Sequence, residues 1–159
     1  MRYVLLGNDL TTWSIAFGIG LAVCFLLYFA KRLVVRRLAL FAATTTTYLD
    51  DLAVQVLSAT HPLFFVLMGV YAGAQSLVLP EARLTLLSRL AIAALLLQVA
   101  RWGDVGVRAW LHHYRTHRAG QDVASTTSTA ALGFVVRTVI WLVIILMILD
   151  NFGVNITTL

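Results

Sequence analysis

Few residues in this chain invite chemistry, and they are best weighed first. His112, His113 and His117 lie close together, and His113 and His117 stand four apart, so on a helix they project from one face as metal ligands do. No cysteine or carboxylate joins them at ligand spacing. Trp110, Tyr114, Arg115 and Arg118 surround them, and the stretch reads as a basic, aromatic segment at a membrane surface rather than a metal site. His61 lies in an apolar segment, where a histidine can ligate haem or relay protons. Haem between helices needs matched histidines facing each other, and His61 has no counterpart at that depth. Cys24, the one cysteine, sits inside an apolar run with no thiol to pair with and no zinc spacing, and reads as inert. Arg137 stands about two turns into another apolar run, where an arginine costs a few kcal/mol unless it snorkels or finds a carboxylate. The first reading is snorkelling to inner-leaflet phosphate; the alternative is a pairing with Asp122 or with a carboxylate on another helix. The sequence holds no Ser/His/Asp set, no phosphate-cradling glycine loop and no pair of carboxylates deep in an apolar run. Catalysis has no home here, and neither a cofactor nor a metal is expected.

Composition dictates what kind of helix carries these side chains. Of 159 residues, 60% are hydrophobic and 12% charged, against about 45–50% and about 25% in soluble domains. A water-soluble core cannot absorb so much apolar side chain, so the unit to look for is a segment long enough to span about 30 Å of hydrocarbon. The net charge of +5 does not argue for nucleic acid, because the arginines flank apolar runs in short groups and form no continuous basic face.

Residues 11–30 carry no charge, with Trp13 near one end and Tyr28 near the other, and make a first span. It is too long for a secretory signal peptide and ends on Lys31 and Arg32. Lys31, Arg32, Arg36 and Arg37 among Leu33, Val34, Val35, Leu38 and Leu40 put cations on one side and aliphatics on the other, as an interfacial continuation of that helix would. A turn belongs near 44–47 and Asp50–Asp51. A second span is expected over 52–79, kinked or started near Pro62, and a third over 84–102, closed off from the second by Pro80 and Glu81. Beyond it Arg101, Asp104, Arg108, His112 and Arg115 recur at steps of three or four, so the third helix continues past the membrane, with Asp104 able to pair with Arg101 or Arg108. After the polar stretch 118–129, residues 130–149 form a fourth span, and Asp150, Asn151 and Gly153 break the apolar pattern as a surface turn does. The expected fold is an all-α integral membrane helix bundle of about four spans. It divides into peripheral helices and interfacial segments over 1–129 and a last helix with its turn over 130–159.

The basic residues fix an orientation. Lys31, Arg32, Arg36, Arg37, Arg101, Arg108, Arg115 and Arg118 follow spans one and three, Arg137 joins them, and Arg2, Arg83 and Arg89 lie opposite. By the positive-inside rule the amino terminus faces out, and Leu159 stands on the outer side, positioned to begin another crossing.

Residues 134–159 read FVVRTVIWLVIILMILDNFGVNITTL. The aliphatic run with Trp141, then Leu149, Asp150, Asn151 and Phe152, and above all Gly153, Val154, Asn155, Ile156, Thr157, Thr158 and Leu159, resemble the small-conductance mechanosensitive channel family. The match lies in the helix before the pore helix and in the turn joining the two, roughly the last sixth of the chain. The resemblance implies a multi-pass protein of the bacterial inner (plasma) membrane, with its amino terminus outside and added helices ahead of a conserved core. It further implies assembly as a homo-oligomer, a heptamer in that family, that gates non-selective efflux of ions and solutes under hypo-osmotic shock. The Gly- and Ala-rich pore helix and the cytoplasmic domain of the family are lacking from this sequence, so no pore or gate residue carries over. What remains is the tension-sensing periphery, in contact with membrane lipids, with Arg101, Trp102, Arg108, Trp110, Arg137 and Trp141 as interface anchors. Asp150, Asn151, Gly153 and Asn155 form the turn toward the pore helix. Two other classes compete: a four-helix accessory or scaffold protein that conducts nothing, which predicts a stop codon after Leu159, and a small transporter, for which Pro62 beside His61 is the one hint of a broken helix.

Overall fold

The computed structural model describes residues 4–5, 7–43, 48–117 and 123–154, with the side chains of 4, 5, 115–117 and 123–128 left aside. Two short strands, β1 (Val4–Leu5) and β2 (Asn8–Asp9), pair antiparallel with Val4 opposite Asp9 and Leu5 opposite Asn8. Gly7, at φ 81°, supplies the positive dihedral that so tight a hairpin needs. There follow α1 (Leu10–Ala42), α2 (Tyr48–Ser58), α3 (Pro62–Ala74), α4 (Glu81–His117) and α5 (Val123–Asn151). The fold is all-α apart from the hairpin. Helices α1, α4 and α5 are each long and apolar enough to cross a membrane, and α2 with α3, if taken as one broken span, makes a fourth. Only 6% of the apolar window of α1 is buried by protein. So large an uncovered apolar surface suits lipid and not water.

The boundaries refine the reading from sequence. The second span is two helices, not one: residues 59–61 interrupt it, and it ends at Ala74 rather than at 79. Proline explains the interruption, since its ring and missing N–H exclude it from a helix interior but suit the first turn of a new helix. His61 caps that new helix, its Nδ1 accepting from the Leu63 N–H at 3.2 Å. Helix α4 continues to His117, as the spacing of its charged residues predicts, and α5 begins at Val123 inside the polar stretch. Of the turn expected near 44–47 and Asp50–Asp51, residues 44–47 lie outside the described residues, while Asp50 and Asp51 belong to the first turn of α2, where their charges suit the positive end of the helix dipole.

The chain forms two compact units, neither of them contiguous in sequence. The first comprises Met1–Leu33 and His61–Leu95. Here Asp9 starts α1, its carboxylate accepting from the Leu10 N–H at 2.8 Å and from the Thr11 hydroxyl at 3.3 Å, where a negative charge also complements the helix dipole. Ala16 and Gly20 of α1 meet Gly69 and Gly73 of α3, each pair one turn apart. A Cβ on Gly69 would stand 2.5 Å from the Gly20 carbonyl oxygen, and one on Gly20 would stand 3.0 Å from that of Gly69. The two backbones therefore touch directly, the form of packing that small residues four apart permit in a membrane. Asn8 is 3% exposed and secures the segment after α3, donating from Nδ2 to the Val78 carbonyl at 2.9 Å while its Oδ1 accepts from the Val78 N–H at 2.8 Å. Tyr28 meets Phe65 edge-on at 6.3 Å between ring centroids, and Lys31 Nζ stands 6.0 Å from the Phe65 ring.

The second unit comprises Val34–Thr60 and Leu96–Leu159. Its core lies between α4 and α5. Ala100 is fully buried, Gly103 admits the Ile140 side chain at 3.3 Å from where a Cβ would be, and Leu111 fills the space beside Gly133. The indole N–H of Trp102 donates to the Thr60 hydroxyl at 3.1 Å. At the end of α5, Gly153 N–H donates to the Asp150 carbonyl at 2.8 Å and Val154 N–H to the Leu149 carbonyl at 3.0 Å, with Gly153 at φ 84°. This is a Schellman closure, which satisfies carbonyls that a helix end otherwise leaves open and requires a left-handed residue that only glycine adopts at no cost.

Candidate functional site

Asp104 sits on the face of α4 that turns toward α5, next to Gly103, and is 7% exposed. A carboxylate so enclosed needs cationic partners. It has two: Arg108, one turn on along α4 at 2.5 Å from Nη2, and Arg137 of α5, which binds it through Nε. The two guanidinium side chains remain 56% and 38% exposed, so the carboxylate is the buried centre of the cluster and the cations are its rim. This bracket supplies the carboxylate on another helix that is the alternative to snorkelling for Arg137. Asp122, the other candidate partner, lies outside the described residues. Of the two pairings open to Asp104 within α4, that with Arg108 forms; among the described residues Arg101 makes no ion pair with it.

Two recesses open beside the bracket. One, of ≈ 280 Å³, is lined by Arg108, Leu111, His112, Gly133, Phe134 and Arg137. Leu111 packs against Gly133 at its wall, in space that a side chain at Gly133 would need. The other, of ≈ 540 Å³, is lined by Tyr48, Asp51, Gln55, Arg108, His112 and His113. There the Tyr48 and His113 rings stack, with centroids 3.7 Å apart and planes 19° from parallel. The Tyr48 hydroxyl is buried with no hydrogen-bond partner among the described residues. His113 thus packs against an aromatic ring. Among the described residues no three His, Cys, Asp or Glu are grouped to hold a metal ion.

The remaining anchors are dispersed. Arg101 and Trp110 are exposed, Trp110 standing 5.9 Å from Tyr114, while Trp102 is half-buried through its bond to Thr60. Trp141 is half-buried and lines an apolar groove of ≈ 650 Å³ along α5 with Phe134, Arg137, Leu142 and Ile145. Asp150, Asn151 and Gly153 form the helix end described above, and Asn155 lies outside the described residues. The structure therefore brings Arg108 and Arg137 together. It adds Asp104 as the group that joins them, a residue read from sequence as a partner for Arg101 or Arg108 within α4 but not for Arg137. The signal was present: an arginine inside an apolar run calls for a carboxylate, and Asp104 is the acidic residue near the end of the neighbouring span.

No family model, curated protein or solved structure matches the chain. What it offers for function is therefore the charged bracket, the recesses beside it and the helix end that α5 carries.

Proposed function

We propose that this chain is the membrane-tension-sensing region of a mechanosensitive channel that gates non-selective ion and solute efflux under hypo-osmotic shock. The reading places it in a bacterial inner membrane, amino terminus outside, as a homo-oligomer. The observation that carries the proposal is the end of α5. Of the residues that resemble the channel family, those the structure describes, 134–154, are an apolar helix and its closure at Gly153 by a left-handed turn, a fit joint at the end of a lipid-facing helix.

The mechanism is a shift of population between conformations of different in-plane area. Stretched bilayers thin, and a thinner hydrocarbon layer favours the conformation in which long apolar helices tilt. Helix α4 has 37 residues, about 55 Å at 1.5 Å per residue, so its length exceeds the bilayer core and its position responds to thickness. The Asp104 bracket couples that response to α5, because Arg137 follows the carboxylate to which it is bound. Displacement then reaches Asp150 and Gly153. Arg101, Trp102, Arg108, Trp110, Arg137 and Trp141 hold the helices at the interface in this reading.

The test is electrical. Membrane patches from a host without endogenous mechanosensitive channels, expressing the native gene, should pass stepwise currents when suction is applied. Silence up to the tension at which patches rupture, with the protein verified in the membrane, rejects conduction and leaves the accessory-protein reading.

A further inference from the structure

The basic recess beside Asp104 and the apolar groove along α5 are two parts of one surface. Phe134 and Arg137 line both. At one end stand Arg108, His112 and Arg137; from Arg137 the surface continues past Thr138, Trp141, Leu142 and Ile145, along the apolar C-terminal half of α5. Charge and donor count favour an anion at the basic end. Two guanidinium groups against one carboxylate leave one positive charge uncompensated within the bracket. Asp104 engages one nitrogen of each guanidinium in these ion pairs, and each guanidinium carries five N–H donors in a planar fork that suits phosphate oxygens. A soluble anion uses only the basic end. A molecule that uses both ends is anionic at one and a hydrocarbon chain at the other.

We propose that this surface is a binding site for one anionic phospholipid, its phosphate held between Arg108 and Arg137 and one acyl chain laid along Trp141, Leu142 and Ile145. The proposal names the lipid partner of the site described above. It rests on the membrane-embedded part of the functional reading and not on conduction, so a binding assay tests it whether or not the protein passes current. His112 lines the same recess. Asp104 holds the two arginines in place, since without it their like charges repel.

The test is native mass spectrometry of the detergent-solubilised protein, titrated with phosphatidylglycerol and with phosphatidylcholine of identical acyl chains, and with glycerol phosphate or inorganic phosphate as competitor. One phosphatidylglycerol should be retained with about tenfold preference over phosphatidylcholine, the scale of a single charge-assisted hydrogen bond. Arg108→Gln should reduce the preference to near unity. Arg108 is the more exposed of the two cations and leaves Arg137 on Asp104, so the fold survives the change. Arg83→Gln, an exposed arginine of the other unit, should leave the preference intact. Equal retention of the two lipids, or a preference that Arg83→Gln abolishes and Arg108→Gln does not, overturns the proposal. Displacement of the lipid by inorganic phosphate at equal concentration also overturns it, in favour of a soluble-anion site.

Discussion

Gly69→Ala should loosen the first unit measurably, although it adds a single methyl group. That methyl would stand 2.5 Å from the Gly20 carbonyl oxygen and 3.3 Å from Cys24 Cβ. The oxygen belongs to the backbone of α1, so no rotamer change relieves the contact. Ordinary contact begins at 3.4 Å, and the helices must retreat by about 0.9 Å to reach it. A gap of that size forfeits roughly a quarter to a half of each dispersion contact along the seam, and overpacking of this kind costs about 1–3 kcal/mol. Gly18→Ala provides the internal control, because a Cβ at Gly18 meets nothing within 4 Å. That change should be neutral, or stabilising by up to about 1 kcal/mol through helix propensity. The assay is reversible unfolding in mixed micelles with increasing dodecyl sulfate, followed by tryptophan fluorescence and circular dichroism. The midpoint for Gly69→Ala should fall clearly below the wild-type value while that for Gly18→Ala holds. An unchanged midpoint for Gly69→Ala, or an equal fall for Gly18→Ala, refutes direct backbone contact between α1 and α3.

Three further outcomes follow from the same geometry. In a double-mutant cycle of Asp104→Asn and Arg137→Gln, the coupling should be about 1–2 kcal/mol, below the range for fully buried pairs because Arg137 is 38% exposed; a coupling near zero in micelle unfolding rejects the bracket. Asn8→Ala removes two hydrogen bonds to Val78 and should cost about 1–3 kcal/mol, with faster amide exchange at Val78 as the local sign. Gly153→Ala forces a side chain into the left-handed region and should destabilise the end of α5 by about 1 kcal/mol, seen as faster amide exchange at position 153 and at Val154 than in the wild type.

The spans were legible in the sequence because hydropathy requires only composition over a window, and composition suffices to find α1, α4 and α5. The continuation of α4 was legible for a different reason: Arg101, Asp104, Arg108, His112 and Arg115 keep helical spacing past the apolar run. Arg137 drew attention as a charge out of place, but its partner depends on register between helices, which a single sequence does not encode locally. The contact of Ala16 and Gly20 with Gly69 and Gly73 carried a readable signal, small residues four apart in two apolar segments. Spacing alone does not say which two helices meet. Asn8 left no signal at all. Its value comes from a partner 70 positions away, and the bonds go to backbone atoms whose residue type is immaterial.

The bracket also bears on how the protein is made. Asp104 and Arg137 are 33 positions apart, so α4 emerges from the ribosome and meets the translocon before its second cation emerges. During that interval Arg108, one turn away on the same helix, is the carboxylate's companion, and the emerging segment approaches the bilayer as a near-neutral pair. Arrival of α5 adds Arg137, and the two helices then fit at one register. Insertion of α4 and α5 is accordingly expected to be completed together, as a hairpin. Full-length Arg137→Gln should leave α4 only partly integrated, which glycosylation mapping would reveal; full integration of that variant would mean that Arg108 alone carries Asp104 to the membrane.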